Sequence, residues 1–376
     1  MPDGLSGASG GRPPGRGQRL RETRQPRMKR HPANPLITPN MVRPSAPGLR
    51  VRGVFNPAAV LHHDEILLLV RVAEDCESGP DEVAVPMVRV ENGVGRADIL
   101  RLSRRDPEAD LSDSRYVRYR GQTYLSTLSH LRLARSRDGV RFEVEDRPFL
   151  FPGEPAESFG VEDARLTRIG DSFYISYTCV SPDSWATALA STRDFCSLER
   201  RGLIFPPQNK DVCLFPETID GRYCALHRPH NSGFGRPSIW YAESPDLIHW
   251  GRHQCLIRPR ANGFEDERIG GGAPCLKTPA GWLQIYHGAA HDGTYRLFTL
   301  LLDLKNPARV LKRASRPLLE PETEYETSGF HGRVVFTDGV VQFGDGRVFI
   351  FYGAADQTCC LAESSIDELL ASLDWR

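Results

Sequence analysis

From Val54 onward the chain repeats one hydrophobic pattern: a short apolar strand, a turn, a second strand of aromatic and β-branched residues, then a strand closing in a polar turn. The second strands run Ile66 to Val72, Phe173 to Thr178, Tyr223 to His227, Trp282 to His287 and Val348 to Gly353. Before the last four stand Gly170-Asp171, Asp220-Gly221, Gly281 and Asp345-Gly346, the residues that tight hairpins require. The later strand is self-similar too, as Leu189-Ala190-Ser191-Thr192-Arg193-Asp194 and Tyr241-Ala242-Glu243-Ser244-Pro245-Asp246 illustrate. Its equivalent positions Ala134, Ala190, Ala242, Leu302 and Ala362 are spaced by 56, 52, 60 and 60 residues. That period predicts an all-β chain, a five-bladed β-propeller of four-stranded blades. The first unit carries an excursion from Asp75 to Gln122, read as a loop over one face. At the end, Ser365-Ile366-Asp367-Glu368 has capping-box spacing and predicts a short C-terminal helix, either a lid on the last blade or a dimer contact.

Phe159 to Arg165, Phe-Gly-Val-Glu-Asp-Ala-Arg, places two adjacent carboxylates and a guanidinium at the mouth of a hairpin's first strand. On its own, this stretch fits a strand cap in which Glu162 and Asp163 pair with Arg165 as well as it fits a reactive site. The repeat changes the weighting. Aligned by their second strands, the units bring Arg71, Tyr177, Arg228, His287 and Asp356 to equivalent strand ends. The first strands bring Asn56, Asp163 and Gly270-Gly271-Gly272, with Lys210 just ahead of the third. Polar groups of both signs would then surround a pocket on the axis. Within it, Lys210, Arg228, Arg268 and His287 together suit an anion, Arg offering planar forks to phosphate oxygens and Lys a point charge.

Composition narrows the alternatives. Lys plus Arg (48) equals Asp plus Glu (48), so overall charge gives no reason for a nucleic-acid or membrane-surface partner. No apolar run approaches the ~18 residues of a membrane span. The nine cysteines form no C-x-x-C pair and read as reduced thiols of a cytoplasmic protein. His31, His62 and His63 have no metal-ligand spacing, and no metal site is expected. The tryptophans read as packing residues, with sugar stacking a minority role. Residues 1–30, rich in Gly, Pro and Arg, are expected to be a disordered leader before a single catalytic domain over 31–376, and Met28 is an alternative start.

At this point the residues resemble glycoside hydrolase family 130, the mannoside phosphorylases. The likeness runs from about Asn34 to Asp356, through Gly53-Val54-Phe55-Asn56-Pro57, Arg71-Val72-Ala73-Glu74, Gly160-Val161-Glu162-Asp163-Ala164-Arg165, Asn209-Lys210-Asp211, His227-Arg228-Pro229, Tyr286-His287-Gly288, Leu302-Asp303-Leu304 and Tyr352-Gly353-Ala354-Ala355-Asp356. The resemblance implies a five-bladed propeller, with Asp163 as catalytic acid and Lys210, Arg228, Arg268 and His287 as ligands of an attacking phosphate. It also implies that Asn56, Arg71, Asp303 and Asp356 contact the sugar at the scissile end. Ala164 stands where many relatives carry Pro, and Arg268 where Lys is common.

The implied reaction is phosphorolysis of a β-mannoside oligosaccharide with inversion. Asp163 would donate a proton through the mannosyl 3-hydroxyl to the glycosidic oxygen, and phosphate would attack C1 to give α-mannose 1-phosphate. Phosphate is a co-substrate and no cofactor is expected; a homo-oligomer is compatible with the terminal helix. A β-mannoside hydrolase on the same scaffold ranks second, because the proposed anion ligands are basic, and a non-catalytic carbohydrate-binding propeller third.

Overall fold

The five second strands are rich in apolar residues, and in the computed structural model, which describes residues 28–113, 115–230 and 233–374, each pairs antiparallel with a strand on either side. The first sheet pairs Leu49–His62, Glu65–Cys76, Leu128–Ser136 and Glu143–Val144 in that order. The second and third follow the same plan, Gly160–Ile169 to Glu199–Phe205 and Asn209–Leu214 to Gly251–Ile257. In the fourth, Arg268–Gly271 and Leu276–Thr278 share one partner, Gly281–Ala289, before Tyr295–Leu302 and Val310–Arg313. The fifth, Val335–Gln342, Arg347–Ala354 and Thr358–Ser365, takes its outer strand from the other end of the chain, Lys29 and Arg30 pairing with Glu363 and Ala362.

Residues 28–30 are therefore part of the fold, which moves the end of the expected leader. Met28 is buried among Leu283, Ile350 and Ala362, and Arg30 pairs with Glu326. The leader's first 27 residues lie outside the described residues. Neighbouring sheets meet in order. Gly160 bridges Ser129, Ser176 Oγ donates to Val212 O, Cys213 Sγ donates to Gly272 O, Tyr295 bridges Val334, and Val54 N donates to Gln357 O.

Between sheets the second strands pack their apolar side; Phe173, Ile175, Tyr177 and Cys179 join Leu67, Leu133 and Leu166 in one buried cluster. Each such aliphatic contributes about 1.5–3 kcal/mol by leaving water. Three of these strands add a polar clamp. Tyr177, Tyr286 and Tyr352 donate to Glu157, Glu265 and Glu326 at 2.6, 2.8 and 2.8 Å, and all three carboxylates are buried. An arginine from the outermost strand completes each: Arg200, Arg313 and Arg30. The clamp ties the approach to a sheet's first strand to its second and fourth.

The expected loop from Asp75 to Gln122 is instead mostly strand. Glu82–Glu91 pairs with Val94–Ser103, and Ala109–Asp110, Tyr116–Tyr119 and Gln122–Leu125 form a small sheet. Its few apolar residues alternate, so Val85, Leu102 and Val117 share one side and make a separate minor core. The helix Ile366–Ala371 starts as predicted, Ser365 accepting from Glu368 N, and buries Leu369 against the fourth and fifth sheets.

Candidate active site

Four first strands carry the same irregularity. Their register shifts between Phe55 and Ala58, Glu162 and Arg165, Lys210 and Cys213, and Thr337 and Gly339. In three of them an Asn or Asp in the shift takes a left-handed backbone: Asn56 (φ 48°), Asp163 (φ 46°) and Asp211 (φ 58°). Asn and Asp tolerate that conformation better than other non-glycine residues, and a bulge re-aims a side chain that regular pleating would bury elsewhere. Asp338 occupies the fourth shift. The result is a ring of short polar side chains, all under 5% exposed, at the floor of a cavity of about 690 Å³ lined by Asn56, Asp163 and Asp211 among others.

Asp163 is held from one side. Asn56 Nδ2 and Arg71 Nη1 donate to its Oδ1 at 2.8 and 3.0 Å, while Lys210 Nζ stands 3.6 Å from Oδ2. Asn56 can approach because its partner position is Gly353, where a Cβ would lie 2.1 Å from Asn56 Oδ1. Arg71 also donates to Glu162 Oε1 at 2.8 Å and Ser129 Oγ at 2.9 Å, so its fork is fixed at three points. Burial alone would push the Asp163 carboxyl up, but Arg71, Lys210 and Arg165 outweigh it and hold it below the ordinary carboxylate range. Asp356, on the same wall with φ 50°, goes the other way. Its burial, reinforced by Asp163 and Glu162 and only partly offset by Arg71 and Lys210, pushes it up to about 7.

The cations gather across the floor. Lys210 and Arg228 are direct cross-strand partners, and Arg228 Nη1 lies 3.4 Å from His287 Nε2. Burial would strip the Lys210 proton, yet Asp163, Asp211 and Glu162 keep the ammonium above its usual range. Arg228 Nε, Arg268 Nε and His287 Nδ1 are buried without a protein partner, three polar atoms around one cavity that a hydrogen phosphate would satisfy, its oxygens accepting from the guanidinium groups and its P–OH donating to a neutral ring nitrogen.

Comparison with known proteins places this geometry. Residues 114–374 match the family described as glycoside hydrolase 130, beta-1,4-mannooligosaccharide phosphorylase. The chain is 42% identical over 350 residues to a beta-1,2-mannobiose phosphorylase of Listeria innocua, covering 92% of this chain and 98% of that one. It is 37% identical over 236 residues to a 1,2-beta-oligomannan phosphorylase of a Thermoanaerobacter species, covering 62% of this chain and 77% of the relative. The solved Listeria innocua beta-1,2-mannobiose phosphorylase, in complex with beta-1,2-mannobiose, superposes with a TM-score of 0.88 at 41% identity, over 92% of this chain and 99% of that one. The chain belongs to glycoside hydrolase family 130.

The family resemblance drawn from sequence thus holds, and eight of the nine residues it singled out line this one cavity: Asn56, Arg71, Asp163, Lys210, Arg228, Arg268, His287 and Asp356. Asp303 does not. It follows Leu302, which pairs with Trp282, whereas His287 pairs with Leu297. Six steps at ~3.3 Å put Asp303 roughly 20 Å along the strand from the His287 level, at the opposite end of the sheet. There its Oδ1 accepts from Lys305 and Asn306 N and closes a turn.

A second correction concerns charge. Burial, with Arg228 and Arg165 nearby, lowers His287 to about 4 despite the opposing pull of Asp211, so in the unliganded family 130 site this ring is neutral at pH 7. Tyr177 is a third. It points into the core clamp, and the neighbouring Thr178 is the residue that lines the cavity.

Sequence reading passed over Asp211, Asp338 and the true partner of Arg165. Arg165 is buried and donates to Asp163 O and Gly271 O, with Asp211 and Asp338 at 3.3 and 2.7 Å, not to the side chains of its neighbours Glu162 and Asp163. The signal was present: Asn56, Asp163, Asp211 and Asp338 hold equivalent places in their first strands. Trp185 also lines the cavity, against His230, while Trp282 is core. From the insert come Arg115, Tyr116, Arg118 and Gln122, which put the excursion on the cavity's outer wall.

Proposed function

We propose that the chain phosphorolyses β-1,2-linked mannosides, with mannobiose the smallest substrate, and that its five sheets are the blades of a five-bladed propeller with the site on its axis. The sequential sheet-to-sheet contacts, returning from the fifth to the first, support the blade reading. The observation that carries the reaction is a buried carboxyl, Asp163, in one cavity with Lys210, Arg228 and Arg268, while of the other carboxyls there Glu162 and Asp211 are tied to Arg71 and Arg228 and Asp356 holds its proton up to about pH 7. An inverting hydrolase needs a second carboxylate to activate water. Phosphate is already an anionic nucleophile, and a cationic cradle is what it needs. No cofactor enters this scheme. The linkage follows from the Listeria innocua relative, matched over nearly its whole length, in preference to the family's β-1,4 description.

In the proposed reaction a phosphate oxygen attacks C1 of the terminal mannosyl unit as the C1–O bond breaks on the opposite side. The departing oxygen takes its proton from Asp163, relayed by the mannosyl 3-hydroxyl, and α-mannose 1-phosphate and the shortened mannoside leave. Asn56, Arg71 and Asp356 grip the mannosyl unit. In the empty site Asp163 is ionised because cations outweigh burial. A phosphate dianion among Lys210, Arg228 and Arg268 cancels part of that field, so the arrival of the nucleophile raises the acid's pKa toward the value a proton donor needs.

The insert residues Arg115, Tyr116 and Arg118 form the acceptor side of the cavity and select the leaving sugar. Nine cysteines, none in a disulfide, support a reducing, cytoplasmic setting. Among the described residues no helix is long and apolar enough to cross a membrane. Incubating the protein with β-1,2- and β-1,4-mannobiose, with and without phosphate, tests the reaction: α-mannose 1-phosphate should form from the β-1,2 sugar only when phosphate is present. Free mannose released at an equal rate in phosphate-free buffer would sink it in favour of hydrolysis.

A further inference from the structure

An anion site with a buried carboxylate on its floor poses a physical question. Asp211 is 1% exposed, adopts φ 58° at a strand bulge, and lines the same cavity as the cations. It cannot help by touching phosphate, because like charges at close range repel. Its contacts suggest another role. Oδ2 forms an ion pair with Arg228, 2.9 Å from its Nη1, and lies 3.4 Å from His287 Nε2, while Oδ1 lies 3.3 Å from Arg165 Nη2. The fourth sheet is shaped around that contact. A Cβ on Gly270 would lie 2.1 Å from Asp211 Oδ2 and 2.6 Å from the His287 ring, so only glycine lets carboxylate and imidazole meet.

We propose that Asp211 is a positioning residue for the phosphate site, clamping one end of the Arg228 fork and the Nε2–H of the His287 ring so that Arg228 Nε donates to a phosphate oxygen and His287 Nδ1 accepts from the P–OH. This rests on the phosphorylase reading above. Those two atoms are buried without protein partners, which is the arrangement expected of preorganised groups whose partner is the ligand. The bland alternative is that Asp211 merely neutralises Arg165. Arg165, however, donates to the carbonyls of Asp163, Gly271 and Gly272, and Asp211 lies closer to Arg228, at 2.9 Å, than to Arg165, at 3.3 Å. Arg228 has no other carboxylate partner among the described residues. The preorganisation costs something: the carboxylate opposes the incoming charge, and its ionised state, well below the usual range despite full burial, is sustained by Arg228, His287 and Arg165.

The test is Asp211→Asn in the full chain, which keeps shape and removes charge. The Michaelis constant for phosphate should rise about tenfold to a hundredfold, the scale of a lost hydrogen bond to a charged group, while that for β-1,2-mannobiose stays within about threefold. Thermal stabilisation of the protein by inorganic phosphate should shrink in parallel, and stabilisation by mannobiose should persist. Gly270→Ala should show the same selective loss without any change of charge, and carries the test should Asp211→Asn not fold. An equal rise in both Michaelis constants, or an unchanged phosphate constant in a folded variant, overturns the positioning role. Wild-type turnover that ignores phosphate would instead overturn the phosphorylase reading, so the two failures are told apart by the wild-type control.

Discussion

Replacing Asp163 by Asn separates proton donation from every other task of this side chain. The amide oxygen can still accept from Asn56 Nδ2 and Arg71 Nη1, whose bonds both fall on Oδ1. Arg71 keeps Glu162 and Arg165 keeps Asp211, so the cations of the site retain counter-charges and the variant should fold. What disappears is the transferable proton. General acids contribute about 10²- to 10⁴-fold. Asp163 is 4% exposed, so bulk water is poorly placed to substitute, and the upper half of that range applies. Turnover on β-1,2-mannobiose should fall about a thousandfold, some 4 kcal/mol on the barrier. A nitrophenyl β-mannoside supplies the decisive control. Its phenolate leaves without a proton, so the same variant should lose about tenfold or less with it. Initial rates of α-mannose 1-phosphate formation on both substrates give the answer. Equal losses on the two leaving groups, or a loss under tenfold on mannobiose, would refute the assignment of Asp163 as the acid.

Other parts of the molecule yield sharper tests of stability. Asp356 holds its proton up to about pH 7, whereas in the unfolded chain it ionises near the ordinary value of about 4. The folded chain therefore binds the extra proton in that window, and the contribution, complete below pH 4, is lost as pH rises through 7. Asp356→Asn should melt like the wild type at pH 4 and be more stable at pH 8, by up to about 4 kcal/mol, at the cost of mannoside binding. An identical pH–stability curve would show that this carboxyl is not displaced. Tyr352→Phe should cost about 1–3 kcal/mol in denaturant unfolding by leaving Glu326 one donor short, with both Michaelis constants unchanged. A chain starting at Met28 should match the full chain, whereas one starting at His31 loses buried Met28 and the Arg30–Glu326 pair and should be about 2–5 kcal/mol less stable by thermal unfolding.

The strands were legible because their signal is local. Phe173 to Thr178 and Val348 to Gly353 are short runs of aromatic and β-branched residues, and Asp220-Gly221, both with positive φ, closes a hairpin by its own conformational preferences. The site was legible only where each residue lay on the strand end that faces the cavity. Asp303 failed because it ends a third strand, which runs antiparallel to the second and so finishes at the far side of its sheet. Tyr177 failed by a single residue, which in a pleated strand is the difference between core and cavity. The insert was misread because its apolar residues serve two small clusters outside the repeat, Val85 with Leu102 and Val117 on one side and Ala84 and Val88 against Leu49 and Leu128 on the other.

Charge state was the least legible property, and it bears most directly on mechanism. Counting side chains gave four cations against one acid. Burial and neighbours give instead a neutral His287, a protonated Asp356, and an ionised Asp163 and Asp211. None of these follows from residue type, since each is set by burial and by charged neighbours distant in sequence, as Arg71 and Lys210 are for Asp163 and Arg228 and His287 for Asp211. The same bulges that aim Asn56, Asp163 and Asp211 at one another therefore also set which of them carries a proton. A site so balanced answers to added charge: one phosphate dianion changes the field at Asp163 and His287 together, and both move toward their protonated forms. That coupling lets a single anion act as nucleophile and arm the acid that expels the leaving group.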